Sequence, residues 1–374
     1  MLIWLVAQLL TLLRTGAIVF DDFLAYWTVG RLQLTGRNPY DPELVLVVQQ
    51  AVGHESNSPL MVWYPPWALA FVLPLGAVDY PLGRLLWLGL QFGTILGAVA
   101  LAWRYFGGRA SDFWQALVIT ASFVPALFVL KYGQIGPLLL LGLVAFLWFE
   151  RKQQWWQAGA STLLIAVKPH LLPLFWVALF LWSVDRRKWQ LLVGTASALV
   201  IATLLVLPFN FQVLSQYLDT AVSYPPYFWV PPNAGRLLRL LFAEDRIWLQ
   251  FVPTLIGLGG LLWYWRHQRS GWDWSEQLPI LILGSLCIAP YGWPFDHVIL
   301  LPFVLQAALS LRTFVSRFAV ILTVGGYFVV DALALLTNVL HFSDSLPIFQ
   351  YFLAIGLAPL WLLAYFGWHR VWST

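Results

Sequence analysis

The chain has 374 residues, of which 60% are hydrophobic, 17% aromatic and only 10% charged, with a mean hydropathy of +0.74. That balance excludes a soluble globular domain and points to an all-α polytopic membrane protein. The net charge of +4 is read as basic cytoplasmic loops rather than a nucleic-acid surface, and the single Cys287 leaves no internal disulfide.

The first apolar run, Met1 to Phe20, is long enough to span and lacks a small-residue cleavage site, so it reads as a retained helix. Asp21 and Asp22 follow at once. A carboxylate where a spanning helix leaves the bilayer costs free energy unless it is hydrated or paired, which makes this pair a functional-site candidate. The pair opens a polar loop, 21–81, expected to hold two short interfacial helices. One is Asp22–Thr35, stopped by Gly36; the other is capped by Asp41 with Pro42 in its first turn. The run 60–77 carries Tyr64-Pro65-Pro66 and Pro74, and such breaks are tolerated at membrane depth only where protein or water satisfies the backbone.

Basic clusters then punctuate the apolar runs: Arg104/Arg109, Arg151/Lys152, Arg186/Arg187/Lys188, Arg266/Arg269, Arg312/Arg317 and His369/Arg370. Placed inside by the positive-inside rule, they enclose hairpins of 113–130 with 135–150, 155–168 with 170–184, 188–208 with 246–266, 277–291 with 295–311, and 318–340 with 347–368. Kinked or half-length helices are expected at 155–184 and near 291–297, where the runs fall short of the roughly 20 residues of a full span. Charge parity works if 60–77 does not span, while 1–20 and 82–103 do. The expectation is then about twelve transmembrane helices, cytoplasmic termini and Asp22 on the outer face. The whole chain, 1–374, reads as one integral membrane domain: a module over 1–208, a second outer loop over 209–245, and C-terminal helices over 246–374. In the second loop Asn233 is expected to cap a short amphipathic helix. Many of the 23 Trp residues fall at run ends, as an interfacial belt would.

Cations on the outer face are exceptions that need a reason. Lys168, in Val167-Lys168-Pro169-His170, interrupts an apolar stretch and calls for an anion, with snorkelling to the interface as the plainer account. Lys131 opens Lys131-Tyr132-Gly133-Gln134, where close approach of a substrate and an ordinary hairpin turn explain the pattern equally. Asp296 and His297 place a second acid at the outer boundary, either in the site or in a structural pair with an outer arginine. Arg236 and Arg239 follow Asn233, and Arg14 lies in the first run. Asp79 and Asp331 read as pairing or boundary residues.

An interfacial acid with cations suits one reaction above others. A carboxylate deprotonates an acceptor hydroxyl, which attacks a sugar's anomeric carbon and expels a lipid phosphate. Arg, Lys or His then stabilises the charge developing on that phosphate. No Gly-rich nucleotide loop follows a strand, which argues against a soluble nucleotide-sugar donor.

At these residues the chain resembles glycosyltransferase family 87, of the GT-C superfamily. The resemblance is carried by Asp22-Phe23-x-x-Tyr26, Gly30-Arg31, Gly36, Asn38-Pro39-Tyr40-Asp41-Pro42, Tyr64-Pro65-Pro66, Gly133-Gln134, Lys168-Pro169, Asn233-x-Gly235 through Arg239, and Pro290-Tyr291-Gly292-Trp293-x-x-Asp296, in order. It implies a GT-C-type fold, a catalytic aspartate at Asp22 rather than Asp21, a polyprenyl-phosphate-linked sugar donor and inversion at the anomeric carbon. Related sequences often carry a histidine pair near Phe295 and Asp296, where this chain has Phe295-Asp296-His297.

The expectation is therefore a membrane glycosyltransferase of the cell membrane, moving one hexose, mannose among the candidates, to a lipid or glycan acceptor at the outer face. Asp22 is the expected base. Lys168, His170, Arg239, Lys131, Gln134, Asn233, Asp296, His297, Tyr26 and Tyr64 are expected around donor and acceptor. No cofactor is required by any motif, and no spacing argues for a metal, although Asp22 and Asp296 are candidates to share one. The rivals are a secondary transporter, disfavoured by the absence of a repeat and by charges gathered at one face, and a lipid-linked glycan ligase or polymerase.

Overall fold

The computed structural model describes residues 21–310, apart from 225–230 and 232, and residues 324–336, apart from 330 and 333. Among them every regular element is helical. The run 1–20, Arg14, Arg312/Arg317, the run 347–368, His369/Arg370 and most of 318–340 lie outside the described residues.

Helix α1 (Asp22–Leu34) begins where Asp21, in extended conformation, accepts a hydrogen bond from the Phe23 backbone N–H at 3.0 Å. Asp22 in its first turn faces the positive end of the helix dipole. Gly36, at φ +71°, follows the helix end as expected. The helix lies deeper in protein than an interfacial one needs to: Phe23, Leu24, Tyr26, Trp27, Val29 and Leu32 are all buried. Its close neighbour is the segment expected not to span, which contains only a helical turn at Pro66–Leu69 and a 3-10 turn at Leu73–Ala77. Backbones meet there: a Cβ on Gly76 would lie 2.3 Å from the Gly30 carbonyl carbon, and Arg31 donates to Gly76 O at 3.1 Å. Helix α2 (Pro42–Ala51) is capped by Asp41, which accepts from Glu43 N and Leu44 N.

Helix α3 (Tyr80–Tyr105) is started by Asp79, which accepts from Leu82 N at 2.9 Å; Asp79 is a cap rather than a pairing residue. At a rise of ~1.5 Å per residue it is about 39 Å long, enough to cross a bilayer. The expected straight run 113–130 is broken. Helices α4 (Phe113–Ser122) and α5 (Val124–Tyr132) meet at 61°, because Phe123 is extended and Pro125 has no N–H to continue the ladder. The freed Val124 N–H is met by Asp331 Oδ1 at 3.1 Å.

Helix α6 (Gly136–Arg151) is followed by two half-length helices, α7 (Trp155–Ile165) and α8 (Pro173–Asp185), which flank the irregular stretch holding Lys168, as expected. Helix α9 (Trp189–Val206) crosses α7 at two glycines: a Cβ on Gly159 would meet Leu191 O at 2.1 Å, and one on Gly194 would meet Trp156 O at 2.5 Å. Small residues at such a crossing let backbones touch where lipid supplies no hydrophobic drive. Then come α10 (Val213–Ser223), α11 (Ala234–Phe242), α12 (Val252–Gln268), α13 (Trp274–Ile288), a 3-10 turn (Pro294–Leu300) and α14 (Leu301–Ser310). Asn233 caps α11 as expected, accepting from Arg236 N at 2.8 Å.

Among the described residues three helices are long and apolar enough to cross a membrane, Tyr80–Tyr105, Trp189–Phe209 and Ile247–Gly271, and the bent pair α4–α5 would make a fourth. The count of twelve is not reproduced by these residues, because prolines and glycines break several apolar runs into helices of 10–17 residues. Val200, Ile201, Leu204 and Leu205 on α9, with Leu255, Ile256 and Trp263 on α12, point outward. Such apolar faces suit lipid. The chain is an integral membrane protein.

Candidate active site

Four separate segments converge at the start of α1. The α5–α6 junction brings Gln134, the break between α7 and α8 brings Lys168, and the 3-10 turn after α13 brings Asp296. Gln134 stands at the centre. Its Nε2 donates to Asp22 Oδ2, while its Oε1 accepts from Lys168 Nζ at 3.0 Å and from the Tyr26 hydroxyl at 3.1 Å. An ionised carboxylate only accepts, so this orientation of the amide is the one that serves both ends. Lys168 Nζ also donates to Asp296 Oδ1 at 2.8 Å, and Asp296 Oδ2 takes the Trp293 backbone N–H at 3.0 Å. The hydroxyls of Tyr26 and Tyr64 lie 2.9 Å apart, with their rings stacked. Lys168 sits over the rings of Tyr64 and Phe295, 5.7 Å and 5.2 Å from their centroids, an arrangement that favours the cation.

Tyr26, Gln134, Lys168 and Asp296 are buried, whereas Asp22 keeps partial exposure. It is the partly exposed acid of this network. Burial is the main influence on its carboxyl and pushes its pKa above the ordinary value. Gln134 and Lys168 pull the other way, and Asp296 adds to the rise.

Asp21 is buried; besides capping α1, its Oδ2 accepts from Arg84 Nη2 at 2.5 Å and Nε at 2.8 Å. Gly133 adopts φ +65°, and the space its missing side chain leaves is taken by Asp21 Oδ1, 2.9 Å from where a Cβ would be. The close approach at Gly133 is between protein groups.

The remaining expected residues divide. Asp296 is paired with Lys168 and not with an outer arginine, and Asp22 and Asp296 are linked through Gln134 and Lys168. His170 packs edge-on to Tyr291, and His297 is buried in the 3-10 turn after Asp296. Lys131 is exposed, its ammonium over the Tyr132 ring at 5.0 Å. Asn233 and Arg239 belong to a second network that holds the loop leading to Asp296. Asn233 Nδ2 and Gln250 Nε2 donate to Pro290 O at 2.8 Å and 2.5 Å. Arg239 Nη1 donates to Gln250 Oε1 at 2.8 Å, and its other nitrogens donate to Glu244 O. Arg236 pairs with Glu244.

Sequence reasoning missed Arg84, Trp87 and Gln91 on α3. Their signal was a polar spacing of three and four inside an apolar run, the period of one helix face.

The helical membrane protein thus gathers a partly exposed acid, a buried lysine and a second, buried acid in one network. The chain matches the family model of Glycosyltransferase family 87 over residues 63–290. It belongs to that family. The match begins after α1 and covers Gln134, Lys168 and the Pro290 turn, so Asp22 and Asp296 are placed by the network itself. The chain is also similar to the alpha-(1->3)-arabinofuranosyltransferases of two strains of Mycobacterium tuberculosis, CDC 1551 / Oshkosh and ATCC 25618 / H37Rv. Each is 24% identical over an aligned length of 270 residues, and the match covers 66% of this chain and 58% of the relative. The chain thus spans 58% of the length of these relatives. No solved structure matches.

Proposed function

We propose that this glycosyltransferase moves one sugar from a polyprenyl-phosphate donor to a hydroxyl of a lipid or glycan acceptor, with Asp22 as general base. The partial exposure of Asp22 within an otherwise buried network carries this reading. Asp22 takes the proton of the acceptor hydroxyl, whose oxygen forms the new bond to the anomeric carbon. The bond from that carbon to the phosphate oxygen breaks, its electron pair leaves with the polyprenyl phosphate, and the anomeric configuration inverts. Tyr64 and Phe295, both partly exposed, offer aromatic faces for sugar and prenyl carbon, Tyr26 backs Tyr64, and Lys168 supplies positive charge behind the acid. Because Lys168 is held by Asp296, its charge at the phosphate is shared with that carboxylate.

We place the reaction at the outer face of the cell membrane, from the distribution of basic clusters; twelve spans remain part of that topology. The hexose expectation, mannose included, gains no support from the relatives, whose named activity is arabinofuranosyl transfer. The test is transfer by the purified protein in nanodiscs, supplied with polyprenyl-phosphate mannose or polyprenyl-phosphate arabinofuranose. One donor is expected to be consumed, with release of polyprenyl phosphate, and Asp22→Asn is expected to abolish this without loss of expression. Full transfer by Asp22→Asn would overturn the assignment.

A further inference from the structure

Arg84, Trp87 and Gln91 lie on one face of α3, and their side chains run along the end of α5. The last carbonyls of a helix have no partner within it, and α5 stops at Gly133 inside an apolar chain. Four carbonyls around that end are met from α3. Gln91 Nε2 donates to Val129 O at 3.1 Å and to Gln134 O at 2.6 Å. Trp87 Nε1 donates to Gly133 O at 2.6 Å, and Arg84 Nη2 to Leu130 O at 3.3 Å. The same Arg84 holds Asp21, the cap of the helix on which Asp22 is the first residue. The Trp87 ring stacks on Phe23, centroids 5.9 Å apart, and meets Tyr26 edge-on at 5.8 Å.

One face of one helix therefore grips both halves of the Asp22–Gln134 contact. It holds the backbone of Gln134 through Gln91, and the start of α1 through Arg84 and Trp87. We infer that Arg84, Trp87 and Gln91 are positioning residues for sugar transfer, setting Asp22 against the Gln134 amide. The inference rests on Asp22 being the base. None of the three hydrogen-bonds the acid: Gln91 acts through Gln134, Arg84 through Asp21, and Trp87 through Gly133 and the Phe23 and Tyr26 rings.

A role in stability alone would lower yield or melting temperature and leave the chemistry of the surviving protein unchanged. A positioning role moves kcat and the ionisation of Asp22. The groups facing that carboxyl are Gln134, Lys168, Asp296, Tyr26 and Asp21. Trp87→Phe and Gln91→Met remove hydrogen bonds to the backbone at Val129, Gly133 and Gln134, and so act first on the Gln134 contact.

The experiment compares Trp87→Phe, which keeps a ring and removes only the N–H, with Gln91→Met, which keeps length and removes the donor. Each is measured for kcat, donor KM and the pH profile of kcat, alone and in a Gln134→Met background. We expect kcat to fall about tenfold, from a lost hydrogen bond and a displaced base, with donor KM unchanged and the acid limb moved to higher pH. In the Gln134→Met background the same substitutions add no further loss of kcat. An unmoved acid limb in the folded variants, or an equal loss with and without Gln134, overturns the proposal. Asp22→Asn in the same preparation separates the two readings. Transfer retained there removes the base assignment, whereas transfer lost there beside unaltered kcat for Trp87→Phe and Gln91→Met removes the positioning role alone.

Discussion

Lys168 Nζ lies 2.8 Å from Asp296 Oδ1, and both side chains are buried between four separate segments of the chain. A lysine that in sequence calls for an anion is half of an internal ion pair. Removing one partner of such a pair leaves an unpaired buried charge, which costs about 3–5 kcal/mol. Lys168→Met is therefore expected to lower the melting temperature sharply. The double substitution Lys168→Met/Asp296→Leu should recover much of that loss, because two apolar groups replace two charges, and should still fail in transfer. Thermal unfolding in detergent beside an activity assay checks both. Stability unrecovered in the double variant would mean that the pair holds the loops by more than its charge.

The pH dependence follows from Asp22. Burial holds its carboxyl above the ordinary value near 3.9. A base works deprotonated, so transfer is full above its pKa and is lost as pH falls through it. The acid limb of kcat/KM should therefore lie above the usual carboxylate range. Gln134 lowers the proton affinity of Asp22, so Gln134→Met should move that limb further up. A limb at or below about 4 would rule out Asp22, in this environment, as its source.

Asp21 and Asp22 should separate by kind of damage. Asp21→Ala removes a helix cap, worth about 1 kcal/mol, and strips Arg84 of its carboxylate, so its main effect is on melting temperature. Asp21→Asn keeps the acceptor for the Phe23 N–H and should be milder. Asp22→Asn should melt close to the parent protein and lose transfer by ~100-fold or more, the usual contribution of a general base. A reversed pattern, with Asp21 variants stable and inactive, would exchange the two roles.

The α7–α9 crossing offers a test of the fold away from the site. A Cβ at Gly159 would stand 2.1 Å from Leu191 O, backbone that has no flexible end to swing aside. Gly159→Ala is expected to destabilise by about 1–3 kcal/mol, as overpacking does. Gly259→Ala on α12 meets nothing within 4 Å and should be neutral or slightly stabilising, since alanine favours helix. Equal melting temperatures for the two would mean that the backbones part at little cost.

Much of the local structure was legible in advance. Asp41 and Asn233 cap their helices where expected, because a cap is chemistry among residues two or three apart. The break at Lys168 and the non-spanning character of 60–77 were readable from proline and from charge parity. The span count is not reproduced among the described residues, since an apolar run does not announce its breaks: α4–α5 is bent by 61° and several apolar helices are only 10–17 residues long.

The sequence by itself determined the class: an apolar helical chain for a membrane, with an acid at the end of its first run and signatures of a glycosyltransferase family spread in order along it. These follow from composition and from short-range order. Only the tertiary structure decided how the charges are shared. Asp21 pairs with Arg84 across 63 residues, Gln134 holds Asp22 across 112, and Lys168 takes Asp296 across 128. Such partners are chosen by which helix ends meet, because a buried charge or amide must find its complement wherever packing places one.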